Sequence, residues 1–120
     1  MVMLDANMIL RYLLNDNAEM AETAEKYINS GNVIVTIEVI AEVIYVLKGV
    51  YNLDRDEITE TVNRFVDLVN CPEPEVLHLA VETFGDRNID FVDCVLYAYH
   101  KSKNIEIATF DKKLLKMINE

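Results

Sequence analysis

The chain has 120 residues, of which 52% are hydrophobic and 27% charged, with only three glycines and two prolines. A chain of this length makes one domain, expected here over residues 1–120, and buries roughly two-thirds of its unfolded surface, leaving little for a linker or disordered tail. Twenty-one acidic against eleven basic residues give a formal charge of −10, which excludes broad electrostatic capture of nucleic acid or anionic lipid. Any chemistry on nucleic acid must be local and metal-assisted.

The longest apolar run, Val33 to Leu47, is interrupted by Glu38 and Glu42 and is shorter than the ~20 residues a bilayer needs, so no membrane partner is expected. Asp5 stands where a secretion signal would want basic residues followed by an apolar stretch, which argues against export and for the cytoplasm. Cys71 and Cys94 lack CxxC spacing and further partners, as expected of buried thiols rather than a disulfide frame or a zinc site.

In chain order, Val2 to Leu4 reads as a short buried strand and Ala6 to Leu14 as a helix opened by Asp5. The next helix, Ala18 to Asn29, stops at Ser30-Gly31. Its glutamates Glu19, Glu22 and Glu25 oppose Ala21, Ala24 and Ile28, an ordinary solvated face. Val33 to Val35 is a second strand, and Thr36 caps a long helix to about Tyr51. Asp54 with Glu57 forms a capping box for a helix whose apolar stripe is Ile58, Val62, Phe65, Val66 and Val69. That helix breaks before Cys71-Pro72-Glu73-Pro74. Val76 to Phe84 reads as a very short strand running into a helix. Asp90 caps a helix to about Lys101, Ile105 to Ala108 is a third clear strand, and Asp111 caps the closing helix, Lys112 to Ile118. Strands joined by helices predict an α/β fold, a three-layer α/β/α sandwich around a short, mainly parallel central sheet.

In such sheets ligands bind beyond the carboxyl ends of the strands. Asp5 follows the first strand and Asp111 the last, so both are expected on one rim, although each also suits plain helix capping. Glu42 lies between Ile40-Ala41 and Val43-Ile44 on a helix apolar almost all round, where a buried, unpaired carboxylate would need a cation. Glu38, one turn earlier, offers the other reading, a narrow solvated stripe. Asp90 and Asp93 share the first turn of their helix, again either a cap with a dipole-favoured acid or part of an acidic cluster.

Taken together these pieces resemble the PIN-domain nucleases, and within them the VapC-type toxins of toxin-antitoxin pairs. The matching stretches are Leu4-Asp5-Ala6-Asn7 with Ile9 to Leu14, Val39 to Leu47 around Glu42, Ile89 to Leu96 around Asp90 and Asp93, and Ile107 to Lys112 around Asp111. No stretch is specific alone; the ordered set is. The resemblance implies that Asp5, Glu42 and Asp93 are the core metal-binding, catalytic carboxylates and Asp111 a more weakly required fourth. It implies that Asn7 and Thr109 help order the cluster, with Asp90 accessory.

It implies as well a metal-dependent endoribonuclease with an RNA substrate, a cognate antitoxin and a homodimer, for which Tyr12, Tyr45 and Tyr51 could supply contacts. An all-oxygen donor set selects Mg²⁺ or Mn²⁺ over zinc, and such an ion activates water against a phosphodiester, leaving 5′-phosphate and 3′-hydroxyl ends. Basic help for the RNA is sparse, with Arg11, Lys48, Lys112 and Lys113 the nearest candidates. The other readings are a non-catalytic PIN-like module, a phosphoryl-transfer protein and a structure-specific DNA nuclease. The second would want a late strand-end Lys, or an acid where Asn7 stands; the third usually carries helical insertions this chain lacks. His78 and His100 lie near no nucleophile pattern.

Overall fold

Asp5 turns the chain from its first strand straight into a helix: its backbone is extended and its carboxylate accepts the Met8 amide at 2.9 Å. The same device opens most of the helices. In the computed structural model, which describes residues 1–120, the chain falls into two units, Met1–Pro72 and Glu73–Glu120. The division coincides with the proline-flanked break foreseen at residues 71–74.

The first unit runs β1 (Val2–Met3), α1 (Ala6–Leu14), α2 (Ala18–Asn29), β2 (Val33–Ile34), α3 (Ile37–Gly49) and α4 (Arg55–Val66). β1 and β2 pair in parallel, Val2 opposite Val33 and Met3 opposite Ile34. A parallel pair needs a long crossover, which α1 and α2 provide. Asn70 closes the other edge of β2: its amide donates to the Val33 carbonyl, its carbonyl accepts from Val35, and its side chain donates to Val33 at 2.9 Å. α1 packs on α2 and α3, and α3 on α4. Ile9, Val33, Val35, Ile40, Val43, Leu47 and Ile58 are fully buried there. The expected capping box of α4 is half realised, with Asp54 accepting from the Glu57 amide at 2.8 Å. Ile58, Val62, Phe65 and Val66 are buried as expected, but the helix ends at Val66, so Val69 lies in the turn that leads to Asn70.

The second unit is helical: α5 (Pro74–Asp86), α6 (Phe91–Lys103) and α7 (Lys112–Ile118), with α6 packed on both others. Two expected strands are absent. The segment from Val76 is helical from its start, because Pro74 at the first helical position pre-sets the backbone and Val76, Leu77, Ala80, Val81 and Phe84 make one buried stripe. Ile105 to Ala108 alternates correctly but forms no ladder, and Ile105 and Ala108 are exposed. Alternation supplies propensity only; a strand also needs a neighbour for its amides, and this unit contains none. The α/β class with a short parallel sheet therefore holds, with two strands rather than three or four. Both cysteines are free; Cys94 is fully buried, and burial pushes the half-buried Cys71 thiol up to about 11. No helix is long and apolar enough to cross a membrane.

Phe65 is 1% exposed and packs its ring against Tyr12, with centroids 6.0 Å apart. Phe65→Ala is expected to cost about 3–5 kcal/mol through the cavity it leaves. Urea unfolding with an unchanged slope and a lowered midpoint is the readout.

Candidate functional site

The expected acidic residues divide between the units. The first carries Asp5, Asn7 and Glu42, and the second carries Asp90, Asp93, Thr109 and Asp111.

Asp5 spends one oxygen on the Met8 amide. Together with Asn7, Met8, Arg11, Asn17 and Met20 it lines a cleft of about 400 Å³ between α1 and α2. Arg11, expected as a candidate RNA contact, is committed elsewhere: Nη1 donates to both oxygens of Asp16, at 2.8 and 2.7 Å, and Nη2 to the Tyr51 hydroxyl at 3.3 Å. Of the two readings of Glu42, a buried carboxylate and a solvated stripe with Glu38, the structure has the second. Glu42 is exposed, on a solvent-facing stripe of α3 that runs Glu38, Glu42, Tyr45 and Gly49. The stripe follows from helical spacing, since Ile40, Val43, Ile44 and Leu47 turn the opposite side of α3 into the core. Burial cost therefore gives Glu42 no need of a cation, and any metal role must rest on its position.

In the second unit two carboxylates act on a third. Asp93 sits half-buried in the first turn of α6, and its carboxyl is held above its ordinary value, first by desolvation, then by the charges of Asp111 and Asp90. Asp111 caps α7, accepting the Leu114 amide at 2.9 Å, while its own amide donates to Thr109 Oγ at 3.0 Å. Thr109 thus fixes the loop from which Asp111 projects. Asp90 corrects a second expectation: it occupies the N-cap position of α6, yet its side chain makes no capping hydrogen bond. Capping, the ordinary reason for an Asp there, does not account for it.

No group of three His, Cys, Asp or Glu side chains is gathered into a ready metal cage. The donor chemistry nonetheless fits a hard divalent ion, since Asp93, Asp90 and Asp111 offer only oxygen donors and a cation would offset the charges that raise Asp93.

Sequence reading missed one feature of this unit. Arg87, Lys113 and Lys116 line a cleft of about 210 Å³ with Asn88, Ile89 and Met117. The signal was present in the three-residue spacing of Lys113 and Lys116, which puts both on one face of α7. Lys113, expected as a candidate RNA contact, lines this cleft with Arg87 and Lys116.

The PIN domain family profile matches residues 2–119, and the chain belongs to that family. Among curated proteins it is similar to the VapC ribonuclease of Aquifex aeolicus (strain VF5), 26% identical over 125 residues that span 98% of this chain and 92% of the relative. No solved structure matches it significantly.

Two outcomes follow from the acidic geometry. Asp54→Ala, which loses a formed cap, is expected to cost about 1 kcal/mol, whereas Asp90→Ala leaves thermal stability essentially unchanged; parallel melts compare them. Asp93→Asn is expected to raise the melting temperature at pH 7 in chelator. The folded protein holds the Asp93 proton more tightly than the unfolded chain, whose value is about 3.9. The stability linked to that proton is full below this value and is lost as pH rises through the raised folded one. The advantage of the variant should therefore be absent in acid and widen toward neutrality. A variant melting below wild type at pH 7 would contradict the repulsion.

Proposed function

We propose that this PIN-family protein is a metal-dependent endoribonuclease, the toxin of a toxin-antitoxin pair, with residues 1–120 acting as a single nuclease domain. The observation that carries the reading is the state of Asp93, a half-buried carboxylate raised first by desolvation and then by the charges of Asp111 and Asp90, with no basic side chain among the causes. Perturbed carboxylates of this kind mark functional sites more often than structural ones. Family membership and the likeness to a VapC ribonuclease favour RNA as substrate.

Asp5, Glu42, Asp93 and Asp111 would hold Mg²⁺ or Mn²⁺, with Asp90, Asn7 and Thr109 in support. When bound, such an ion lowers the pKa of a water and neutralises charge on the scissile phosphate. The chain's own contribution is to orient oxygens. Asp5 and Asp111 are each fixed by a capping hydrogen bond to one oxygen, and Thr109 anchors the backbone of Asp111. Asp93, whose charged form is disfavoured by desolvation and by the charges of Asp111 and Asp90, is suited to gain most from a cation. Hydrolysis would leave 5′-phosphate and 3′-hydroxyl ends.

The toxin reading brings with it a cognate antitoxin, a homodimer and a cytoplasmic setting. Tyr45, 76% exposed beside Glu42 on α3, is the tyrosine best disposed for a protein contact, whereas Tyr12 is engaged with Phe65 and Tyr51 with Arg11.

The test is cleavage of a mixed pool of structured RNAs with Mg²⁺ or Mn²⁺ by wild type, Asp5→Asn and Asp93→Asn, purified identically. Asn caps a helix as well as Asp does, so Asp5→Asn removes charge and keeps the fold. The expected result is cuts at a few sites that disappear in both variants and on chelation. Equal cleavage by wild type and variants would refute the carboxylate assignment.

A further inference from the structure

The basic cleft of the second unit has no part in the acidic chemistry described so far. Three cations, Arg87, Lys113 and Lys116, line it together with Asn88 and the apolar Ile89 and Met117. In a chain of charge −10 this grouping needs a reason. Four cations elsewhere are matched to acids, Arg11 to Asp16, Lys26 to Glu22, Arg64 to Glu60 and Lys103 to Glu75. Lys113 and Lys116 instead stand exposed on one face of α7.

Two observations show what the cleft attracts. Arg87 already grips an anion: Nη1 lies 3.1 Å from Glu120 Oε1 and Nη2 2.5 Å from Oε2, the forked geometry with which a guanidinium also binds phosphate. The field extends beyond that pair, because Glu120 is held below the ordinary carboxylate range by Arg87 and further by Lys116 and Lys101. Position along the chain gives the second constraint. Ile89 in the floor directly precedes Asp90, and Lys113 follows Asp111 by two residues, so the cleft adjoins two members of the acidic trio.

We propose that the Arg87–Lys113–Lys116 cleft is a phosphate subsite that holds a backbone phosphate of the RNA strand next to the scissile one. The proposal rests on the nuclease reading. It explains how a strongly acidic protein retains a polyanion: the carboxylates face the bond to be cut, and a small cationic seat alongside takes the neighbouring charge. The contact reads backbone rather than base, so it sets affinity and register and not sequence preference.

The experiment uses the full chain in an Asp93→Asn background, with chelator present, and measures anisotropy of a labelled single-stranded RNA against salt. Lys113→Gln/Lys116→Gln is compared with Lys26→Gln/Arg64→Gln, which removes the same charge from exposed helix faces of the other unit. The first pair is expected to bind roughly tenfold more weakly at low salt, with the slope of log K against log salt reduced by about 0.7 for one phosphate given up. The second pair should match the parent, and Lys113→Arg/Lys116→Arg should restore binding. In the active protein the Gln pair should raise KM and spare kcat. Equal affinity and slope in the two Gln pairs overturn the subsite and leave the cleft to an acidic protein segment. Failure of the active protein to cut any RNA would count against the nuclease reading alone, since the metal-free comparison still decides the cleft.

Discussion

Short helices need their ends tied down, and this chain is built almost wholly of short helices. None exceeds 13 residues, a length at which an isolated helix is marginal in water. Stability comes from buried stripes and from the N-terminal caps that satisfy amides the helix itself leaves open. Asp5, Asn17, Thr36, Asp54 and Asp111 each accept such an amide. Two helices lack this bond. α5 substitutes Pro74, which has no amide to satisfy, for a cap. α6 has Asp90 in the right position and leaves its carboxylate out of the bond. The exception falls on the helix that carries Asp93.

Capping also shapes what the acidic residues can do. A carboxylate with one oxygen engaged by a backbone amide loses rotamer freedom and presents its second oxygen in a fixed direction. In the proposed reaction Asp5 and Asp111 would meet a cation without first being ordered, which is the advantage of preorganised ligands. The same bond makes fold and chemistry separable by substitution, because an amide side chain reproduces the cap without the charge.

The helices were legible in the sequence because their signals are local: a capping residue, a buried stripe at helical spacing, a break at Pro72 and Pro74. The failures share another cause. The strand expected at Ile105 to Ala108 and the short one near Val76 depended on partners that no local pattern specifies. Flanking apolar residues left Glu42 open between a buried carboxylate and a solvated stripe with Glu38; neighbours in sequence point to different sides of a helix, and the stripe through Glu38 and Tyr45 turns it to solvent. Asp90 was legible as a cap by position but not by what its side chain does. The trio of Asp90, Asp93 and Asp111 was legible only as an ordered resemblance; their mutual electrostatic effect needs a structure. Arg87 was invisible because its role arises from meeting the far end of the chain at Glu120.

Net charge is a poor guide to what an acidic protein can bind, and the second unit shows why. Coulomb interactions in water fade over about 8–10 Å at moderate salt, so a ligand responds to the charges of its own seat more than to the sum over the chain. Acidic side chains around Asp93 and basic ones around Arg87 can therefore coexist within one small unit without cancelling. Each cluster gathers charge of one sign, the first around Asp93 and the second around Arg87, where Glu120 is the acid that the cations act on. In the proposed reaction a nucleic-acid backbone with a divalent cation would supply the opposite of both: the ion for the carboxylates, the phosphates for the lysines. That complementarity would join the acidic and basic clusters through one substrate and make affinity depend on salt and metal together rather than on either alone.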